Sequence, residues 1–259
     1  MHVVEAAARP LIGTSWKMNL APDQARAYVR RLRTQAADDA WGSRTIFVLP
    51  PYVDIGVARE ELSGSRVLYG AQNVHHADAG AYTGEISAQM LAALGCRIVE
   101  VGHSERRRDE LETDELIGAK VAAIRRYGMW PLVCVGESGA QHDDGLSMQV
   151  VVGQLERIFE RTTDEDARSL LVAYEPWWAI GAGATAAPLK HIARLHADIH
   201  MWLSERWPGG DQIPVLYGGS VDLSNAAPLL ATSGVDGLFV GRAALDPQTF
   251  AAICRAGLA

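Results

Sequence analysis

Three side chains able to move or hold a proton stand just past apolar runs of the kind that form buried strands. Glu175 follows 170–174, His103 follows 97–101 and Gly102, and Lys17 lies two residues past 11–15. A carboxylate at the C-terminal tip of a strand faces a mouth rather than a core. The segment 176–186, with Trp177 and Trp178 at one end and Gly181 and Gly183 beyond, can close over that mouth as a lid. A positioned carboxylate with water shut out is what proton abstraction from carbon needs. A lysine in the same mouth supplies fixed positive charge for a phosphate or a developing oxyanion. Trp16 and Met18 flank Lys17 and are apolar, so this segment is expected to be packed; a solvated lysine is the alternative. Ser104, Glu105 and Arg106 read as the first turn of a helix, whose N-terminal potential disfavours a protonated imidazole at His103. A neutral His103 can polarise a carbonyl. The alternative is a structural histidine bonded to the backbone.

These residues need a scaffold that brings strand ends together. Eight β-rich runs, 11–15, 45–49, 66–71, 97–101, 130–135, 170–174, 213–217 and 236–240, alternate with helical stretches. Most are largely apolar, as in parallel strands covered on both faces. The stretch 22–37 carries Ala25, Tyr28, Val29 and Leu32 at helical spacing. The stretch 188–206 carries Leu189, Ile192, Leu195, Ile199 and Leu203, with Pro188 at a first-turn position. Eightfold alternation predicts an α/β protein, a single (β/α)8 barrel of parallel strands spanning 1–259. An open doubly wound sheet is the alternative, but no glycine-rich dinucleotide fingerprint follows the first run. In the barrel, functional residues sit just after strands. Polar clusters occur there: Lys17, Gln72-Asn73, His103 to Arg106, Glu175, Gly218-Gly219-Ser220 and Gly241-Arg242. The last two look like an anion cradle, because glycines let the backbone approach a phosphate.

With 259 residues, 48% apolar and 21% charged, the composition is that of an ordinary globular protein. A net charge of −7 argues against nucleic-acid or anionic-membrane partners. An anionic substrate must then be held by local donors. Cys96, Cys134 and Cys254 form no CxxC pair and read as buried free thiols of a reducing cytoplasm. No metal and no cofactor is expected; His196 and His200 at i,i+4 read as helix surface. The N-terminus carries no signal-peptide pattern, and no apolar run reaches membrane-spanning length. The polar loop 72–85 is long for its position, and reads either as a partner-binding element or as a flexible excursion.

These stretches together resemble the triosephosphate isomerase family over nearly the whole chain. The resemblance rests on Trp16-Lys17-Met18-Asn19, Gln72-Asn73 through Gly80-Ala81-Tyr82-Thr83-Gly84-Glu85, Gly102-His103-Ser104-Glu105-Arg106-Arg107, Cys134-Val135-Gly136-Glu137, Tyr174-Glu175-Pro176, Trp178-Ala179-Ile180-Gly181 and Tyr217-Gly218-Gly219-Ser220-Val221. That family is a known case of a glutamate base, a neutral histidine and a closing loop on a TIM barrel. The resemblance implies that Glu175 abstracts the proton, His103 polarises the carbonyl and Lys17 stabilises the anion, with Glu105 holding Lys17. Gly181, Gly219, Ser220, Gly241 and Arg242 would hold the phosphate of a small sugar. Loop 72–85 would enter a second copy and bring Thr83 near the partner subunit's Lys17, giving a homodimer or larger.

Three departures from the family pattern bear on the substrate. Ser15 stands where the family usually has Asn, Gly181-Ala182-Gly183-Ala184 where the lid usually reads Gly-Thr-Gly-Lys, and Gly241-Arg242 where two glycines are usual. The runs 13–19 and 236–242 look instead like the branch that isomerises L-erythrulose 1-phosphate to D-erythrulose 4-phosphate in erythritol catabolism. That substrate is dihydroxyacetone phosphate with one hydrogen of the reacting hydroxymethyl carbon replaced by CH2OH, so only the far end needs more room. Asn→Ser would open that end while leaving a hydroxyl. The expectation is therefore a tetrulose-phosphate isomerase. Triosephosphate isomerase is the alternative, and a non-catalytic phosphosugar-binding protein a remoter one.

Overall fold

Eight parallel strands close on themselves: β1 (Leu11–Ser15), β2 (Thr45–Leu49), β3 (Leu68–Ala71), β4 (Ile98–Val101), β5 (Trp130–Val135), β6 (Leu171–Tyr174), β7 (Val215–Tyr217) and β8 (Gly237–Val240). Each pairs with its sequence neighbours, and the ring closes where β1 meets β8 with Leu11 opposite Gly237. The (β/α)8 expectation is thus met, and the doubly wound sheet, which has open edges, is excluded. The computed structural model describes residues 8–36, 41–181 and 183–258; residues 1–7, Ala37 of the first expected helix and Ala182 of the lid segment lie outside the described residues.

Five strands start one or two residues later than their apolar runs. Backbone donors explain two of these delays. The Val67 N–H goes to the Ser65 hydroxyl, and the Ile213 N–H to the Gly210 carbonyl in a turn, after which Pro214 has no N–H to give.

Alternate strand residues fill the barrel interior, among them Leu11, Phe47, Ile98, Leu132, Leu216 and Phe239. Their neighbours in sequence, such as Ile12, Val48, Val99 and Val172, pack outward against the helices. The interior is tight. Phe47 stacks on Phe239 with ring centroids 6.1 Å apart, and a Cβ at Gly13 would lie 1.9 Å from the Phe47 ring. All three cysteines are buried, as expected. Among the described residues, no helix is long and apolar enough to cross a membrane.

The helix Pro22–Ala36 buries Ala25, Tyr28, Val29 and Leu32, as their spacing predicts. In the helix Leu189–Arg206 two readings need correction. Pro188 is the N-cap, with extended backbone (φ −56°, ψ 136°), and Leu189 is exposed. His196 is not on a surface: it is fully buried with Ile192, Leu195, Ile199 and Leu203. Its Nδ1 donates to the Gly234 carbonyl at 3.0 Å, and burial pushes its pKa down to about 4. His200 approaches the same carbonyl at 3.1 Å and Asp236 at 3.0 Å. A helix packed against the barrel buries whatever side chain its inner stripe carries, and here that stripe includes a histidine with a backbone partner.

One residue breaks the apolar interior. Glu100 lies opposite Leu132 on β4 and is 2% exposed. Burial, with the Glu175 charge adding to it against His103, Ser15 and Lys17, lifts its carboxyl from the usual 4.5 to about 7. Between those two values the folded protein keeps a proton that the unfolded chain has lost, so this group costs stability as pH rises through that window. Glu100→Gln should therefore raise the melting temperature at pH 8 by on the order of 5 °C while leaving it nearly unchanged at pH 4. Equal shifts at both pH values in a thermal melt would contradict the titration. Gly13→Ala should cost about 2 kcal/mol in denaturant unfolding, because the Phe47 ring has nowhere to retreat. An unaltered midpoint would mean that the Phe47–Phe239 stack yields.

Candidate active site

Glu175 immediately follows β6, between two glycines of the neighbouring strand ends that let the chain crowd it. Its N–H donates to the Val135 carbonyl at 2.7 Å, and the Gly218 N–H to the Tyr174 carbonyl at 2.8 Å. A Cβ at Gly136 would lie 1.9 Å from the Glu175 carbonyl oxygen, and one at Gly218 2.9 Å from its Cγ. Only glycine lets β5 and β7 approach so closely. The Glu175 side chain is 2% exposed yet lines the cavity, and the Ser104 N–H lies 3.4 Å from its Oε2.

His103 caps the helix Ser104–Asp109 with its ring: Nδ1 accepts the Glu105 N–H at 3.1 Å. The structural alternative, a ring bonded to the backbone, is therefore met. The backbone bond occupies Nδ1, so a neutral ring carries its proton on Nε2. That nitrogen faces Glu175 Oε1 at 3.6 Å.

Lys17 holds a left-handed backbone (φ 53°), unusual for a residue with a side chain. Gln72 pins it there, donating to the Lys17 carbonyl at 3.1 Å and to that of Leu49 at 2.9 Å. The ammonium reaches Glu105 Oε1 at 2.7 Å. The expectation of a packed segment holds on one side only. Trp16 is buried against Tyr28, with ring centroids 4.7 Å apart, whereas Met18 is 97% exposed.

These groups border a cavity of about 840 Å³, also lined by Ser15, Glu105, Gly181, Gly219, Ser220, Gly241 and Arg242. The size falls within the range of about 300–1,000 Å³ usual for small-ligand sites. Every expected site residue except Thr83 gathers here; Thr83 lies exposed in loop 72–85. The Ser220 N–H donates to the Ala179 carbonyl at 2.9 Å, which ties the seventh-strand loop to the lid. Gly219 leaves space for the Tyr217 hydroxyl, which a Cβ would approach to 2.2 Å. A second, smaller cavity of about 490 Å³ shares Ser15, Lys17, His103 and Glu105 as lining and reaches Gln72, Asn73 and Glu100. Glu100 was not among the expected site residues. The available signal was a charge two residues after Ile98 in a strand run, hence on the same inward face.

Two clamps hold the lid. At its start, Trp178 Nε1 donates to Glu137 Oε1 at 2.8 Å, and the Tyr174 hydroxyl to the same oxygen at 3.0 Å. At its end, the Ala187 N–H donates to the Tyr217 hydroxyl at 3.0 Å. Between them Gly181 and Gly183 adopt left-handed φ values of 113° and 80°. Loop 72–85 is also tied down. His75 stacks on Tyr82 with ring centroids 4.2 Å apart, its N–H donates to the Ile86 carbonyl at 2.8 Å, and Lys120 holds Asn73 at 2.8 Å. This arrangement corrects the reading of that loop as a flexible excursion.

A buried glutamate, an imidazole ring, a lysine and a cradle of glycines suit proton transfer beside the carbonyl of a small anion. The comparisons with known proteins agree. The family model described as triosephosphate isomerase matches residues 10–257. The triosephosphate isomerase of Synechococcus sp. (strain JA-3-3Ab) is 44% identical over 246 residues, covering 94% of this chain and 93% of that one. That of Xanthobacter flavus is 44% identical over 253 residues, covering 97% and 98%. The crystal structure of triosephosphate isomerase from Bartonella henselae is 35% identical, covers 96% of this chain and 99% of that one, and superposes with a TM-score of 0.86. The chain is an enzyme, a phosphosugar isomerase, and belongs to the triosephosphate isomerase family.

Proposed function

We propose that the enzyme interconverts dihydroxyacetone phosphate and glyceraldehyde 3-phosphate through an enediolate. The apposition of Glu175 Oε1 and His103 Nε2 at 3.6 Å, at the rim of the cavity, carries this reading. Glu175 takes a proton from the carbon beside the carbonyl and returns it to the neighbouring carbon. His103 donates from Nε2 to the carbonyl oxygen and moves protons between the two oxygens of the enediolate. Lys17, fixed by Glu105, offsets the developing negative charge. Gly181, Gly219, Ser220, Gly241 and Arg242 hold the phosphate. The triose substrate is supported by the names of relatives aligned over more than nine-tenths of the chain, and it therefore precedes the tetrulose expectation.

One observation favours a second reading, L-erythrulose 1-phosphate to D-erythrulose 4-phosphate. Ser15 is small, buried, and borders both cavities. Steady-state assays with both ketose phosphates decide between them: a higher kcat/KM for dihydroxyacetone phosphate establishes the triose reading, the reverse the tetrulose one. If the tetrulose is preferred, Ser15→Asn should move preference toward the triose, and an unmoved ratio would remove Ser15 from the account. Glu175→Gln should lower kcat at least about 10²-fold on the preferred substrate with the fold intact. A parent that binds phosphosugars without turning over either substrate would leave only a binding protein.

The chain further reads as a homodimer or larger assembly through loop 72–85, in keeping with exposed Tyr82, Met18 and Val53. Its buried thiols suit a reducing cytoplasm. Sedimentation velocity should give at least twice the chain mass, and Thr83→Arg should shift it toward one. A parent monomer at micromolar concentration would defeat the assembly.

A further inference from the structure

The carboxyl group of Glu137 is only half used by the lid clamp. It is fully buried, and its Oε1 accepts from Trp178 Nε1 at 2.8 Å, the Tyr174 hydroxyl at 3.0 Å and the Ser147 hydroxyl at 3.1 Å. Oε2 is buried as well, yet has no hydrogen-bond partner among the described residues. A buried acceptor left without a partner calls for a reason. The basic groups that face this carboxyl among the described residues are two imidazoles, with no lysine or arginine in reach. His142 Nδ1 lies 3.9 Å and His191 Nε2 3.8 Å from Oε1. One ligand atom from each of the three residues lies within 4.8 Å of the other two. Both rings reach solvent, with side chains 33% and 18% exposed, so an ion has a way in. Burial pushes the pKa of His191 down, which leaves its ring neutral and able to ligate at neutral pH.

We propose that Glu137, His142 and His191 bind one divalent transition-metal ion of the zinc class at the root of the lid. Two imidazoles and a carboxylate, with a water in the fourth position, are a known zinc donor set. Tetrahedral bonds of about 2.0–2.1 Å hold such donors ~3.4 Å apart, so each nitrogen closes on the carboxylate by roughly half an ångström. Side-chain rotation is enough for that. His191 exchanges its 2.8 Å contact with the Tyr174 hydroxyl for the metal. The ion supplies the charge partner that the buried carboxyl lacks. It also joins three segments around the lid. Glu137 follows β5, His142 sits on the helix Gly139–Asp143 with its ring stacked on Trp178 at 4.1 Å, and His191 lies in the first turn of the helix Leu189–Arg206. An ion held by all three ties the first root of the lid to the helix that follows its end.

Zinc titration into the full chain, free of any tag, tests the site without requiring turnover. Calorimetry should give one ion per chain with a dissociation constant on the order of 1 μM, and saturating zinc should raise the melting temperature. His142→Gln and His191→Gln should each weaken binding by at least about 100-fold. Both should melt as the parent does in the absence of metal, which separates a lost ligand from a damaged fold. Cobalt(II) gives a readout that needs no variant. Visible bands of tetrahedral cobalt without a thiolate charge-transfer band place the ion at the lid root. A thiolate band places it instead at Cys134, whose ligand atom lies within 4.8 Å of those of Glu100 and Glu175. A parent that binds no zinc, a thiolate band, or undiminished binding by either folded variant would overturn the assignment. The outcome is independent of the isomerase reading: the metal site stands or falls on these data whether or not either ketose phosphate turns over.

Discussion

The ladder between β1 and β8 is the contact on which the site depends. Without it, eight parallel strands would form a twisted sheet with Lys17 at one edge and Gly241 at the other. With it, residues from positions 15 to 242 meet around one cavity. Closure also leaves an interior too narrow for anything but side chains, which is why Gly13 faces Phe47 and Gly237 faces the Leu11 backbone with no space for a Cβ. The strand ends, freed from packing, carry the polar groups.

Above that apolar interior the charges are arranged by geometry more than by strength. The Lys17–Glu105 pair is partly exposed, so it adds little to stability; its use is to hold an ammonium in one direction. His103 gains its direction from a single backbone bond to Nδ1. Glu175 gains its own from two glycines that admit the neighbouring strands. For His103 and Glu175 position is fixed by main chain, and for Lys17 by the Glu105 side chain.

The sequence made much of this legible because the barrel couples two simple signals. Apolar runs mark strands, and a polar residue just after one marks the rim; Lys17, His103, Glu175 and the glycines at 218, 219 and 241 are all found by that rule. Strand starts were less visible, because a hydroxyl at Ser65 or a proline at 214 diverts a backbone donor without altering hydrophobicity. The burial of His196 depended on a carbonyl 38 residues away in sequence, which no local pattern carries. The bond from the Ser220 N–H to the Ala179 carbonyl likewise links residues far apart in sequence. Glu100 passed unnoticed because a lone charge in an apolar run looks like an exposed strand face until its neighbours show that face to be inside.

Each end of the lid is fastened to a group that involves a tyrosine preceding an active-site position: Glu137, which Tyr174 also bonds, at one end, and Tyr217 at the other. Tyr174, which shares Glu137 with Trp178, comes immediately before Glu175; Tyr217, which holds Ala187, comes immediately before Gly218. Hinge and base are thus mounted on the same two strand ends. A lid stroke that strains the first clamp is felt at the carboxylate through one peptide unit, and one that strains the second through Gly218, which packs against the Glu175 side chain. At the root beside Tyr174, a change in hinge tension is also a change in the aim of the base.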